Sequence, residues 1–380
     1  MSWRQASIED ACVMVTDGTH YTPPDVDSGV PFLTVKDFTH DGKIDLVGCS
    51  HISQDEFAKA DKGNSAPKIG DVLFSKDGTV GKVYVVASKD RFAVLSSLAI
   101  LRPDPSILDA DYFGWVLKTD SCIDQASRSK TGSAIRRIIL KDLKRVKFPL
   151  PPLAEQKQIA AILDAADALR AKRRESLAQL DRLLQSTFLE LFGNPVTNPK
   201  GWEAKQLGEL GTLDRGVSKH RPRNDPSLLG GSHPLIQTGE VANSGGYIAN
   251  YTSTYSELGL KQSRMWPAGT LCITIAANIA NTGILTFDAC FPDSVVGFSS
   301  PIPGRIEYVQ GLFWFFRDIL ERRAPQSAQK NINLKILRGL PVPVPPDNLQ
   351  SRFATIVESI EHQKTRLRAH LAELDNLFAS

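Results

Sequence analysis

The sequence predicts an α+β chain: two tandem, pseudo-twofold related, β-rich α/β modules separated by a pair of long antiparallel coiled-coil helices. Three observations carry this expectation. A proline-stiffened entry leading into a long helical stretch occurs twice, with Pro149, Pro151, Pro152 and Gln156 falling on Pro343, Pro345, Pro346 and Gln350 at one constant offset. Each helical stretch carries one narrow apolar stripe. A run of short β-rich segments precedes each copy, in the same order. Repetition on this scale marks an internal duplication.

The first module is expected over residues 1–148. Trp3 and Ile8 open it, and the polar segment Thr16 to Gly29, with Asp17-Gly18 and Pro23-Pro24, reads as loop. Pro31 to Phe38 has strand composition. Ile69 to Ser88 reads as two short strands joined by a Lys-Asp-Gly turn, and Phe92 to Pro103 is a further β-rich run. A helix is expected from about Asp109 to Asp120, carrying Tyr112, Phe113, Trp115, Val116 and Leu117.

Residues 149–195 form the central spacer helix. Prolines restrict the residue before them and donate no ladder bond, so Pro149 to Pro152 are extended. Apolar residues then fall at Ile159, Ile162, Ala166, Leu169, Leu177, Leu180, Leu184 and Leu191, a coiled-coil-like stripe that stops at Gly193-Asn194-Pro195. A helix from Leu153 to Phe192 spans roughly 60 Å at about 1.5 Å per residue.

The second module, 196–342, repeats the order. Trp202 and Leu207 match Trp3 and Ile8, Pro234 to Val241 matches Pro31 to Phe38, and Gly269 and Leu271 fall on Gly70 and Val72. Gly283 falls near Gly81, and Tyr308 to Phe316 repeats the aromatic helix. The C-terminal helix, 343–380, runs from about Asp347 with Phe353, Ile356, Ile360, Leu367, Leu371, Leu374 and Phe378 in its stripe. One narrow stripe on a solitary helix finds no local cover, so the two helices are expected to pack on each other.

The totals exclude several classes. A length of 380 residues suits two domains, and 23% charged with 42% hydrophobic residues is ordinary for a soluble globular protein. The net charge of +3 permits nucleic-acid binding without announcing it. Cys12, Cys49, Cys122, Cys272 and Cys290 form no C-x-x-C pair and no zinc spacing with histidine, and read as reduced thiols. The N-terminus lacks the apolar core of a signal peptide, and the most apolar run, Leu271 to Ala280, is too short to cross a bilayer. A cytoplasmic protein with no membrane partner is expected.

Catalytic motifs fail one by one. Asp77 to Val83 ends like a P-loop in Gly81-Lys82, but Lys76 stands where the first glycine belongs and Val83 replaces the magnesium-binding hydroxyl. Neither G-x-S-x-G nor H-E-x-x-H is present. Asn198-Pro199-Lys200 lacks the aromatic and second proline of an aminomethyltransferase loop, and Glu203-Ala204-Lys205 is a lone E-x-K. No metal ligands and no catalytic residues are expected.

The tandem modules, each closing in P-[LV]-P-P and a long helix, resemble the specificity subunit of type I restriction–modification enzymes. Leu191 to Trp202, Leu140 to Gln156, Leu334 to Pro346 and Asp17 to Pro23 carry the resemblance, which covers the entire chain. It implies two target recognition domains, each reading one half of an asymmetric bipartite target in double-stranded DNA, with the helices as spacer and docking surface. It implies two methyltransferase subunits and restriction/translocase subunits as partners. S-adenosylmethionine, ATP and Mg are then implied for those partners, and no cofactor for this chain. Two other readings stay open: the recognition portion of a self-contained DNA enzyme, whose catalytic domains are not expected with Met1 as the start, and a scaffold that does not read DNA.

Groups able to meet phosphates and base edges concentrate in module loops. In the first module these are Thr19, His20, Tyr21, Lys36 and Lys76, and the basic run Arg128, Lys130, Ser133, Arg136 and Arg137. In the second they are Arg215, Lys219, His220, Arg221 and Arg223, then Gln237, and finally Arg323, Gln326, Gln329, Lys330 and Asn331. Recurrence at equivalent places in both copies favours DNA contact over a solvated basic surface. Arg170, Lys172, Arg173 and Arg174 on the central helix read instead as a solvated flank.

Overall fold

The computed structural model describes residues 3–39, 42–127, 138–220, 222–276, 279–323 and 332–379. The chain divides into two units, residues 1–169 and 170–380. The central helix runs Leu153–Phe192, as the apolar periodicity predicts, and contributes residues to each unit.

In the first unit the main sheet has four antiparallel strands in the order Cys12–Asp17, Leu98–Pro103, Val72–Ser75, Val83–Val85. The edge strand takes in Thr16 and Asp17, so the loop begins at Gly18 rather than Thr16. A second sheet orders Ser50–Ile52, Val30–Leu33 and Ala93–Val94, the last pair parallel. Strand Val30–Leu33 gives way to a single 3-10 turn, Val35–Asp37, because the Asp37 carboxylate accepts from Thr34 N (2.6 Å). The two ends of the module are tied by Arg4–Ser7 pairing with Lys147–Leu150. The aromatic helix is shorter than expected: Ala110–Leu117, capped by Asp109, ends at Lys118-Thr119, and a separate helix covers Asp120–Ser127.

The second unit repeats this topology strand for strand. Its main sheet runs Thr212–Arg215, Val295–Ser299, Leu271–Thr274, Thr282–Leu285, with Tyr247–Ile248 added parallel at the edge. Its second sheet runs Ser253–Tyr255, Leu229–Leu235, Ala289–Cys290, with Met265–Trp266 added. Ala204–Gln206 pairs with Pro341–Pro343, as Arg4–Ser7 does with Lys147–Leu150. Register places Ala280, not Gly283, at the position of Gly81: each donates its N–H to the last residue of the preceding strand, Thr274 O (2.8 Å) and Ser75 O (3.0 Å). Gly283 stands opposite Cys272, where Tyr84 stands opposite Leu73.

Prolines leave carbonyls that the ladders do not use, and the same side chains take them up in both units. Tyr112 Oη donates to Pro149 O (2.8 Å), and Tyr308 Oη to Pro343 O (2.6 Å). Gln156 and Gln350 are fully buried at the helix entries. Gln156 Nε2 donates to Pro151 O and Ile107 O (2.8 Å each), while its Oε1 accepts from Asp109 N (2.8 Å). Gln350 Nε2 donates to Pro345 O (2.7 Å), and its Oε1 accepts from Arg305 Nε (2.7 Å).

Within the second unit the central and C-terminal helices meet antiparallel. Phe188 packs on Phe353, Asp181 pairs with Lys364 (2.8 Å), and Arg170 pairs with Asp375 (2.7 Å) and lies over the Phe378 ring. Arg170 is therefore part of the seam and not a solvated flank. The seam differs from the predicted stripe in other places. Ile162 is 66% exposed, whereas Phe188 and Phe192 anchor the core with Tyr308, and Lys364 is buried where the C-terminal stripe has Phe353, Val357 and Ile360. Periodicity shows which face is apolar, but not that a lysine between two carboxylates, Asp181 and Glu361, can share it.

Candidate nucleic-acid interface

One end of the main sheet is built alike in the two modules. There the first strand passes into a loop at a glycine with no room for a side chain. A Cβ on Gly18 would lie 2.2 Å from Val94 O, and one on Gly216 would lie 2.3 Å from Phe291 O. The following N–H groups bond the same places, Thr19 N to Val94 O and Val217 N to Phe291 O. This shared frame makes Asp17 equivalent to Arg215, Lys76 to Ile275, and Ser96 to Asp293.

In the second unit the strand end opens into a cleft of about 1000 Å³. Arg215 and Arg223 line it with Asn224, Gln237, Asp293 and Asn333. Arg215 Nε donates to Asp293 O (3.0 Å), and Arg223 is ion-paired with the Asp293 carboxylate. Gln237 starts the turn equivalent to Thr34, its backbone N donating to Glu240 Oε2 (3.2 Å), and its side chain is exposed. Lys219 and His220 lie on the adjoining loop. That loop is pinned by Gln262 Oε1, which accepts from both backbone nitrogens (2.7 and 3.0 Å). The His220 ring faces Asp225 (3.3 Å). Three of the predicted residues, Arg215, Arg223 and Gln237, thus converge on one cleft.

The first unit closes the equivalent place. Lys76 is 3% exposed and its Nζ lies 3.2 Å from Asp17 Oδ1. Burial raises the Asp17 carboxyl above its ordinary value, and the Lys76 charge opposes that rise. Thr19 is buried too, its hydroxyl donating to Tyr21 O (2.9 Å) and its backbone bridged to Leu95. Lys76 is thus held inside the module, and Thr19, though buried, lines a small hollow with His20 and Tyr21. His20 stays exposed, and Tyr21 Oη donates to Glu56 Oε2 (2.6 Å), beside a hollow of about 310 Å³. Lys36 is exposed on its 3-10 turn, away from that hollow's lining.

Arg128, Lys130, Ser133, Arg136, Arg137, Arg221, Gln326, Gln329, Lys330, Asn331 and the Arg323 side chain lie outside the described residues. Sequence reasoning missed Asp293, Asn224 and Asn333. Asn333 was detectable as a helix cap, since its Oδ1 accepts from Ile336 N (2.9 Å) ahead of helix Leu334–Arg338.

All five cysteines are free thiols, and burial pushes Cys12 up to about 12. Among the described residues no group of three His, Cys, Asp or Glu side chains is placed to hold a metal, and no helix is long and apolar enough to cross a membrane.

The sequence model of the type I restriction modification DNA specificity domain matches residues 24–180 and, a second time, 199–374. The chain belongs to that family. Among its relatives is the putative type I restriction enzyme MjaX specificity subunit of Methanocaldococcus jannaschii, 23% identical over 94% of this chain and 87% of the relative. The EcoBI specificity subunit of Escherichia coli is 24% identical over 46% of this chain and 37% of its own. The crystal structure of the type I S subunit from M. genitalium shares the fold, with a TM-score of 0.65 at 16% identity over 100% of this chain and 94% of that one. The duplicated strand order described above is the architecture of a specificity-family chain.

Proposed function

We propose that this chain is the DNA-recognition subunit of a type I restriction–modification complex, reading an asymmetric bipartite target in double-stranded DNA. One target recognition domain spans 1–148 and the other 196–342, with spacer helices at 149–195 and 343–380. The observation that carries the reading is the pair of equivalent strand ends on a duplicated frame, with unlike side chains on each. A duplicated frame supports two recognition events, and unlike side chains support two different half-sites. In the second module Arg215, Arg223 and Gln237 supply the fork and amide donors that pair with guanine and adenine edges. In the first, His20, Tyr21 and Lys36 remain as contacts, with the basic run 128–137 as the phosphate clamp.

The chemistry belongs to partners: two methyltransferase subunits using S-adenosylmethionine, and restriction/translocase subunits using ATP and Mg. The paired helices serve as their docking surface and as the spacer between half-sites. The family membership supports these partners without identifying the contacts.

Co-expression with the methyltransferase subunit, followed by mapping of modified adenines, tests the reading. The expected result is one motif with two unlike halves and a fixed gap. A pattern unaffected by this chain, with partner assembly intact, overturns it in favour of a scaffold.

A further inference from the structure

Two arginines from different segments of the second unit converge on a single residue. Arg215 ends strand Thr212–Arg215, and Arg223 lies in the loop that follows. Arg215 Nε takes the backbone carbonyl of Asp293, and Arg223 Nη2 takes its carboxylate. Asp293 sits in the turn between Ala289–Cys290 and Val295–Ser299, 70 residues from Arg223 in sequence.

The pair is 45% and 35% exposed, and an ion pair so open to water contributes little to stability. A carboxylate also opposes the approach of phosphate. Neither stability nor general DNA affinity accounts for an acid here, and the equivalent residue of the first unit is Ser96. Orientation of Arg223 does account for it, while Arg215 is oriented by the main-chain carbonyl of the same residue. A guanidinium has five N–H donors, and with Nε engaged, both terminal nitrogens of Arg215 keep the parallel fork that fits O6 and N7 of guanine. A long side chain already held in place loses less rotamer freedom when it binds.

We infer that position 293 presets two base-edge readers of guanine in the half-site of the second module, its backbone carbonyl holding Arg215 and the Asp293 carboxylate acting as the positioning group for Arg223. This rests on the proposed DNA-recognition function.

The test uses the full chain in complex with its methyltransferase subunit, at fixed salt. The probes are the mapped target duplex, duplexes with each base pair of that half-site replaced in turn, and an unrelated duplex. Wild type should discriminate at one or two G·C pairs. Asp293→Ala should lose about tenfold of that discrimination while holding or tightening its grip on the unrelated duplex. Arg215→Ala and Arg223→Ala should each lose discrimination at the same pairs, and Asp293→Ala should add little on top of Arg223→Ala. Asp293→Asn, which keeps the size and one acceptor, should fall between and guards against misfolding of the alanine variant.

Unchanged discrimination in Asp293→Ala overturns the inference and leaves a surface ion pair. A loss confined to a pair that presents an amine, untouched by the arginine variants, also overturns it, because the carboxylate would then read the base directly. Failure of the recognition function looks different: the wild-type complex would prefer no duplex at all.

Discussion

At the end of the first strand of its main sheet, one module carries Asp17 and the other Arg215. The backbones there are interchangeable, down to the glycine that admits no side chain and the N–H that follows it. The charges are opposite and their treatment is opposite. Asp17 is neutralised inside the module by Lys76. Arg215 lines a cleft together with Ile275, which stands where the first module has the buried lysine. Duplication has kept the interactions that close the main chain and released those that end in solvent. A recognition protein needs this division, because a half-site is changed by altering side chains on a frame that must not move.

The contrast is broken most severely at Lys76. Lys76→Met leaves a buried carboxylate without its cation and should destabilise the first unit by about 3–5 kcal/mol, whereas adding Asp17→Leu should recover most of that loss. Urea unfolding of the three proteins measures it. The pH dependence has a definite sign. The folded Asp17 carboxyl is raised, so its protonated form is favoured in the fold. Its contribution is most favourable below the ordinary carboxylate range and is lost as pH rises through the folded value. Removing Lys76 raises that value further, so the deficit of Lys76→Met should be full at neutral pH and shrink toward acid.

The helix entries give the next comparison. Gln156→Ala removes a fully buried side chain and strands the carbonyls of Pro151 and Ile107 and the Asp109 N–H, the last two partly buried, a loss of about 2–4 kcal/mol. Gln350→Ala strands less, because Arg305 keeps its bond to Asp347 (2.7 Å), and about 1–3 kcal/mol is expected. Equal losses in denaturant unfolding would mean that the two locks are not distinguished by their partners.

How much of this was legible in the sequence depends on the range of the interactions involved. The helix Leu153–Phe192 was readable to its ends, because prolines, a stripe and Gly193 are local signals. The repeated strand order was readable because turns and β-rich runs recur in register. The burial of Thr19 and Lys76 was not legible, because it depends on strands that join them from far along the chain, Leu95 and Asp17 respectively. Asp293 was invisible for the same reason. Nothing near Phe291-Pro292 announces that Arg223 will meet it. Nothing local to Lys364 announces that Asp181 will be brought against it from the other helix.

On the open side, Lys219 should behave as a phosphate contact. Its backbone is fixed by Gln262 while its side chain is exposed. Lys219→Ala should weaken binding to target and unrelated duplexes alike, and lower the slope of log affinity against log salt by about 1. A loss confined to one base pair would move Lys219 among the base readers.

The smallest effect is expected at Thr19, and it decides whether the closed end is closed in solution. Its hydroxyl donates to Tyr21 O within the module, so Thr19→Val removes one partly buried hydrogen bond and keeps the shape. A stability loss of about 1 kcal/mol is expected. Discrimination at every base pair of the first half-site should stay as in wild type. The exposed neighbour supplies the contrast, since His20→Ala should leave stability within about 0.5 kcal/mol and alter DNA binding. If Thr19→Val instead changed the preferred base while stability held, the hydroxyl would have to leave Tyr21 and reach the groove. The strand end of the first module would then open on binding DNA, and the difference between the two modules would be one of state rather than of construction.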